Sequence, residues 1–311
     1  MGKYPIHFHL IGRVTKSYVR NNSVVRSYNR GTTIHGVHYL RVENNVYHNI
    51  MGHCIFIEDG FETKNYIARN LMAGVRPSFS MLGTDSTPGC IWITNPDNIF
   101  VENRSAGCSH YGYWFDMDGA NASAPLGEFN NNVAHSCGSY GLRIFHGHTP
   151  SSKLAIYDNL LSYKNGKNGI TGAALGKLVI RNAKLLSNNA AGFATEDAVA
   201  GRNVNRIEKS LIVGSSPALG GNTGSGVIAP RTENFMISDC QFYNFQGGVP
   251  LNTMFHGGKK NDAFTYRTEK LFFDPDSVTR RCTYGGFGKG IFLDLDGTLT
   301  EKGPNTWAIA N

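Results

Sequence analysis

Charge is scarce in this sequence: Asp, Glu, Lys and Arg make up 17% of its 311 residues. Helical bundles and coiled coils depend on charged outer faces, so the shortage argues against them. No apolar run approaches the ~18 residues of a membrane-spanning helix. The six cysteines are Cys54, Cys90, Cys108, Cys137, Cys240 and Cys282, and none forms a C-x-x-C pair. That excludes a zinc ribbon or a thioredoxin-type site. Their spacing fits buried free thiols or one or two disulfides. Lys and Arg form no run, and no zinc-finger spacing or RNA-binding aromatic signature occurs, so nucleic acid is not an expected partner. The net charge of +7 reads as a mildly basic surface or, more sharply, as a groove for an acidic polymer.

What the chain has instead is glycine, 37 of them, and asparagine. Both serve turns and left-handed backbone. They recur in a loose repeat. "RNNSVVRSYNRGTTIHG" (20–36), "VENNVYHNIMGHCIFIEDG" (42–60), "VENRSAGCSHYGYWFDMDG" (101–119), "FNNNVAHSCGSYGLRIFHG" (129–147), "YDNLLSYKNGKNGITG" (157–172) and "IRNAKLLSNNAAGFAT" (180–195) can be read one beneath another. Each has an Asn beside a short apolar strand, a polar turn, and a second β-prone strand. One coil per roughly 20–30 residues is solenoid spacing. Coils of this kind bury their apolar faces only by stacking. The expected fold is therefore all-β, a single right-handed parallel β-helix over 1–311, less regular after about residue 200. "RPSFSMLGTDSTPG" (76–89) reads as an insertion and "SSPALGGNTGSG" (215–226) as a loop. Asn21, Asn103 and Asn121 open N-x-[ST] sequons, a weak sign of a secreted glycoprotein.

Two stretches mislead. "GIFLDLDGTLT" (290–300) matches the first motif of haloacid-dehalogenase phosphatases, with Asp294 as nucleophile. Eleven residues after Thr300 leave no room for the α/β domain that chemistry needs. "GGFGKG" (285–290) lacks Walker spacing.

The chemistry-bearing residues are histidines and acids. His7 and His9 stand two apart in "YPIHFHLIG", so a strand points both to one side. Aligned on their turn glycines, successive coils place His35, Asp59, Asp118 and His146 in one column. Stacked imidazoles and carboxylates suit a divalent metal such as calcium or zinc, or an acid/base pair. His7, His9, His35 and Asp59 are the candidate ligands, and His53 is a further candidate. His38, His48, His110 and His256 read as surface or structural.

"PIHFHL", "TIHGVHYLRVENN", "MGHCIFIEDGFETKN", "IWITNPDN", "YGYWF", "PLGEFNNNVAHS" and "DLDGTLT", in that order, resemble the β-helix region of the fibrocystin, fibrocystin-like receptor and cell-surface hyaluronidase family. The His53-Cys54 pair is similar to the hyaluronidase branch. The short link from "VRPSF" to "CIWITNPDN" and the final "DLDGTLT" are similar to the fibrocystin-like branch. The family pattern has a signal peptide and an eight-glycine β domain upstream, neither of which precedes Tyr4. The expectation is a piece of a longer protein, with that domain as its partner. The resemblance implies an extracellular or cell-surface, membrane-associated module that binds, and in the enzymatic branch hydrolyses, an acidic polysaccharide such as hyaluronan. The catalytic candidates are Glu58, Asp59, His35 and His53. Arg13, Arg143, Trp114 and His146 are assigned to the substrate. The alternative is a non-catalytic receptor ectodomain. A lyase using Arg13 or Arg143 as base is a third reading.

Overall fold

The strands of this chain are short because left-handed residues interrupt them at regular places. The computed structural model describes residues 4–79, 83–198, 205–214, 224–232, 235–253, 263–283 and 289–309. His256, residues 215–223 of the Gly/Ser loop and residues 285–288 of "GGFGKG" lie outside them. Asn21, Asn44, Arg69, Glu102 and Asn131 all have φ between 54° and 57°. That backbone turns sharply and favours Asn over branched side chains. Asn fills three of these five positions.

Each turn delivers the next residue to a ladder. Asn22, Asn45, Asn70, Asn103 and Asn132 follow the five left-handed positions. The Oδ1 of each later member accepts both the backbone N–H and the side-chain N–H of the member before it, at 3.0–3.2 Å. The second Nδ2 hydrogen of Asn45, Asn70, Asn103 and Asn132 reaches a backbone carbonyl at 2.8–2.9 Å. Asn103, one of the three sequon residues, is thus fully buried and fully used, whereas Asn21 is exposed.

Contacts divide the chain into two units, Met1–Lys153 and Leu154–Asn311. In the first unit, Ile6–Arg13, Thr32–His38, Ile55–Ile57, Gly89–Ile93, Tyr111–Asp116 and Tyr140–Phe145 form one sheet. Tyr18–Arg20, Arg41–Glu43, Tyr66–Ala68, Ile99–Val101 and Glu128–Asn130 form a second, and Ser23–Val25, Val46–His48, Leu71–Ala73, Arg104–Ala106 and Val133–His135 a third. Neighbours pair in parallel and in register, save for one shift between His9 and Gly12 in the first pair. The chain visits the three sheets in turn, which is a parallel β-helix. Its interior is stacked by column: Val19, Val42, Ile67, Phe100 and Phe129 lie level and buried in the second sheet. Burying each such side chain stabilises the fold by about 1.5–3 kcal/mol.

The second unit repeats the pattern, with Tyr157, Ile180, Ile207 and Ile237 as one buried column. Here the ladder position is held by Leu160, Ala183, Ser210, Cys240 and Leu271, each after a left-handed residue. Losing the Asn is what makes the repeat harder to see. The final strand, Thr306–Ile309, pairs antiparallel with Lys289–Asp294. Asp294 is fully buried and accepts from the backbone N–H groups of Gly297, Leu299 and Thr300 at 2.8–3.1 Å. Its carboxylate is consumed by its own turn, so the phosphatase motif is structural here.

Among the described residues the helical turns are two 3-10 segments, Gly83–Ser86 and Gly119–Ser123. Among the described residues no helix is long and apolar enough to cross a membrane. Cys90 and Cys108 form a disulfide, while Cys54, Cys137 and Cys240 are buried and outside it.

Candidate functional site

Register places two columns side by side on the outer face of the first sheet. One runs His7, Thr33, Phe56, Trp92, Trp114, Arg143. In the other, His9 pairs with His35 and Asp116 with Phe145. The residues after the Ile34–Ile57 and Ile93–Phe115 pairs insert Glu58 and Thr94 between them. The column is therefore His9, His35, Glu58, Thr94, Asp116, Phe145. It corrects the glycine-based alignment, which put Asp59, Asp118 and His146 level with His35. Asp59 and His146 are one residue beyond the column and Asp118 two. Turns of different length precede the glycines, and a one-residue slip changes the face.

At one end five expected residues come together. The His7 and His9 rings are 5.0 Å apart, and His9 and His35 4.5 Å. His35 Nε2 lies 2.8 Å from Asp59 Oδ2, and His35 Nδ1 lies 3.5 Å from Glu58 Oε2. The turn carrying Asp59 is fixed by a residue no motif marks. Fully buried Glu62 accepts the backbone N–H of Gly36 at 2.9 Å, Asp59 at 3.1 Å and Gly60 at 2.9 Å. Gly36 has φ +63°, and a Cβ there would meet Leu10 Cδ2 at 2.6 Å, so this crossing needs glycine. Burial raises the Glu58 carboxyl, against the charges of His35 and Arg30. Burial lowers His7, with help from His9 and His35.

The other end holds Arg143, Trp114 and His146. The Arg143 guanidinium lies over the rings of Tyr111, Trp114 and Phe145 at 4.1–4.8 Å and donates to the Tyr111 hydroxyl at 2.9 Å. Among the described residues it has no carboxylate within salt-bridge distance. Asp116 Oδ1 sits 3.1 Å from His146 Nδ1. Burial raises the Asp116 carboxyl, and His146 and Arg143 oppose it. Trp114 is only 4% exposed, so it supports Arg143 from beneath. Asp116 escapes a reading of the sequence because "DMDG" draws the eye to Asp118, which caps the following 3-10 turn.

His53 and Arg13 stand apart from both ends. His53 is fully buried, packs on Trp92 with ring centroids 4.4 Å apart, and accepts the Gly89 N–H at Nδ1. Arg13 ends the first strand over Tyr39 and pairs in register with His38. Beneath Glu58, the insertion folds back so that buried Asp85 meets buried Arg30 at 3.0 Å. Six polar atoms in these two columns lack a hydrogen bond: His7 Nε2, Thr33 Oγ1, Glu58 Oε2, Trp92 Nε1, Trp114 Nε1 and Asp116 Oδ1. Buried polar groups are nearly always paired, so such a set marks a place for ligand or water.

Burial pushes His53 down to about 3, against the charge of facing Asp85 and with that of Arg30. Its folded pKa lies below the unfolded value, so the unfolded chain takes the proton first and stability falls as pH drops from about 6.5. His53→Phe removes that term. Between about pH 6 and 4.5, the unmodified chain is expected to lose about 1 kcal/mol more per pH unit than the variant, measured by urea unfolding. Equal slopes would show that His53 is charged in the folded state.

Residues 1–142 match the family model described as CEMIP beta-helix. These residues belong to the CEMIP beta-helix family. Fibrocystin-L of Mus musculus is 33% identical over 96% of the chain, and Fibrocystin-L of Homo sapiens is also 33% identical over 96%. The cell migration-inducing and hyaluronan-binding protein of Homo sapiens is 25% identical over the whole chain. The chain spans about 8% of the length of the Fibrocystin-L proteins and 31% of that of the hyaluronan-binding protein. Both ends of the candidate site fall within, or within a few residues of, the region the CEMIP beta-helix model covers.

Proposed function

We propose that this chain is an extracellular CEMIP-type β-helix module that binds, and hydrolyses, an acidic glycosaminoglycan of the hyaluronan class along the outer face of its first sheet. The observation that carries the reading is Arg143, a cation seated on aromatic rings with no carboxylate partner among the described residues. It offers a bidentate site to a uronate carboxylate. Half-buried Tyr140 and Phe145 flank it and offer apolar surface to a sugar ring. The basic balance of the chain supports a polyanion, and one relative carries hyaluronan binding in its name.

Hydrolysis is assigned to Glu58 and Asp116. They share a column with Thr94 between them. Two strand steps of about 4.8 Å separate their backbones by about 9.6 Å, near the ~6.5–9.5 Å between carboxyls of inverting glycosidases. One carboxyl gives its proton to the glycosidic oxygen as the C–O bond breaks. The other takes a proton from the water that attacks the anomeric carbon. His35 and His146 position the two carboxyls.

The test is titration of the full chain with size-defined hyaluronan oligosaccharides, followed by chromatography of the products. Arg143→Ala is expected to weaken binding at least ~10-fold, as loss of a charge-assisted pair would. Asp116→Asn is expected to keep binding and slow cleavage by ~10²–10⁴-fold. Binding unchanged by Arg143→Ala would overturn the site. Binding without cleavage in the unmodified chain would leave a receptor module and remove the enzymatic half.

A further inference from the structure

We propose that His7, His9 and His35 form a site for a single transition-metal ion of the zinc class. The proposal stands on the geometry of these side chains and does not depend on the carbohydrate reading. Each histidine offers one ring nitrogen, and the three nitrogens lie within 4.8 Å of one another. Three imidazoles this close gain little from each other, since any proton on one repels a proton on the next. A cation at their centre turns the same arrangement into three favourable bonds. The two strands are built to make it. Alternation puts His7 and His9 on one face of Ile6–Arg13, and parallel register brings His35 directly beside His9.

The surroundings fit a metal better than a bare histidine cluster. His7 Nε2 is buried without a hydrogen-bond partner. Asp59 Oδ2 stands 2.8 Å from His35 Nε2. A carboxylate accepting one ring N–H leaves the lone pair on the other nitrogen, which is the usual orientation of a metal-bound histidine. The proton then sits on Nε2, and Nδ1 faces Glu58 Oε2 at 3.5 Å. Glu62 holds the Asp59 turn in place through three N–H groups. Asp59, expected from the sequence to be a ligand, is therefore placed one shell out, as the residue that orients His35. His9 is exposed, so the site has an open side for a water or a substrate atom, as three-ligand zinc sites do.

Donor type selects the ion. Calcium and magnesium take oxygen ligands. Three imidazole nitrogens favour zinc and its neighbours in the first transition series.

The test uses the full chain, purified without a histidine tag and stripped of metal, titrated with zinc chloride and separately with calcium chloride. One zinc ion per chain is expected, with calcium at least ~100-fold weaker, and cobalt(II) should give visible ligand-field absorption. His9→Gln and His35→Gln should abolish zinc uptake. Asp59→Asn should weaken it about 10–100-fold, the usual cost of losing an outer-shell carboxylate. His48→Gln, on an exposed position of the third sheet, should change nothing. Because His9 is exposed, His9→Gln should fold normally, and circular dichroism checks this. No zinc uptake, equal affinity for calcium, or unchanged uptake by folded His9→Gln would overturn the proposal.

Discussion

Replacing Asp85 by alanine is expected to cost about 3–5 kcal/mol of stability, the range for breaking a buried ion pair from one side. Asp85 and Arg30 are both fully buried, and the carboxylate binds Arg30 Nη2 at 3.0 Å and the His53 N–H at 3.1 Å. Burial opposes the Asp85 charge, but hydrogen bonds from Arg30 and the neighbouring charges more than offset this and hold its carboxyl below the usual range. Without it, Arg30 keeps a hydrogen bond to Tyr4, the face of Phe56, and Glu58 at 4.0 Å. Glu58 is then drawn toward Arg30 and away from His35. Loss of stability and a change at the candidate site should appear together. The double variant Arg30→Met, Asp85→Leu removes both charges and should recover most of the loss. Urea unfolding of the two single variants and the double variant measures the coupling. An Asp85→Ala cost under about 1 kcal/mol would mean that water reaches Arg30.

Asn103→Ala should be nearly as damaging, at about 3–5 kcal/mol. The change leaves the backbone N–H and Nδ2 of Asn70 without their acceptor and the Ile67 carbonyl without its side-chain donor, while Asn132 Oδ1 keeps only the backbone N–H of residue 103. Each buried polar group left unpaired costs about 1–3 kcal/mol. Asn103→Asp should be worse than Asn103→Ala, because a carboxylate would face two acceptors. Asn22→Ala, at an exposed member of the ladder, should cost under about 1 kcal/mol, since water can replace its partner. Thermal melting of the three variants orders them. Equal effects at Asn22 and Asn103 would show that the ladder does not carry stability in its buried part.

The ladder was legible in the sequence because Asn at a recurring turn has a single cheap explanation in stacked coils. The fold class followed from it. Register was not legible to the residue. Asp59, Asp118 and His146 share a turn glycine in the sequence but not a column, because turn lengths vary while strand pairing sets the level. His7 and His9 were readable from strand alternation alone. Asp116, Glu62 and the Arg30–Asp85 pair were not, since nothing local marks them. Their partners lie 30, 26 and 55 residues away in sequence. His53 looked like its neighbours in composition, yet the insertion and the aromatic column cover it completely.

Hydrogen exchange of the full chain with and without a hyaluronan oligosaccharide tests the central claim most directly, because it reads where the polymer lies. Added protection is expected in residues 32–38, 55–60, 111–116 and 140–146, which carry the two outer columns of the first sheet. Unchanged exchange in those segments, or protection confined to the second and third sheets, would contradict the assignment of this face as the binding site.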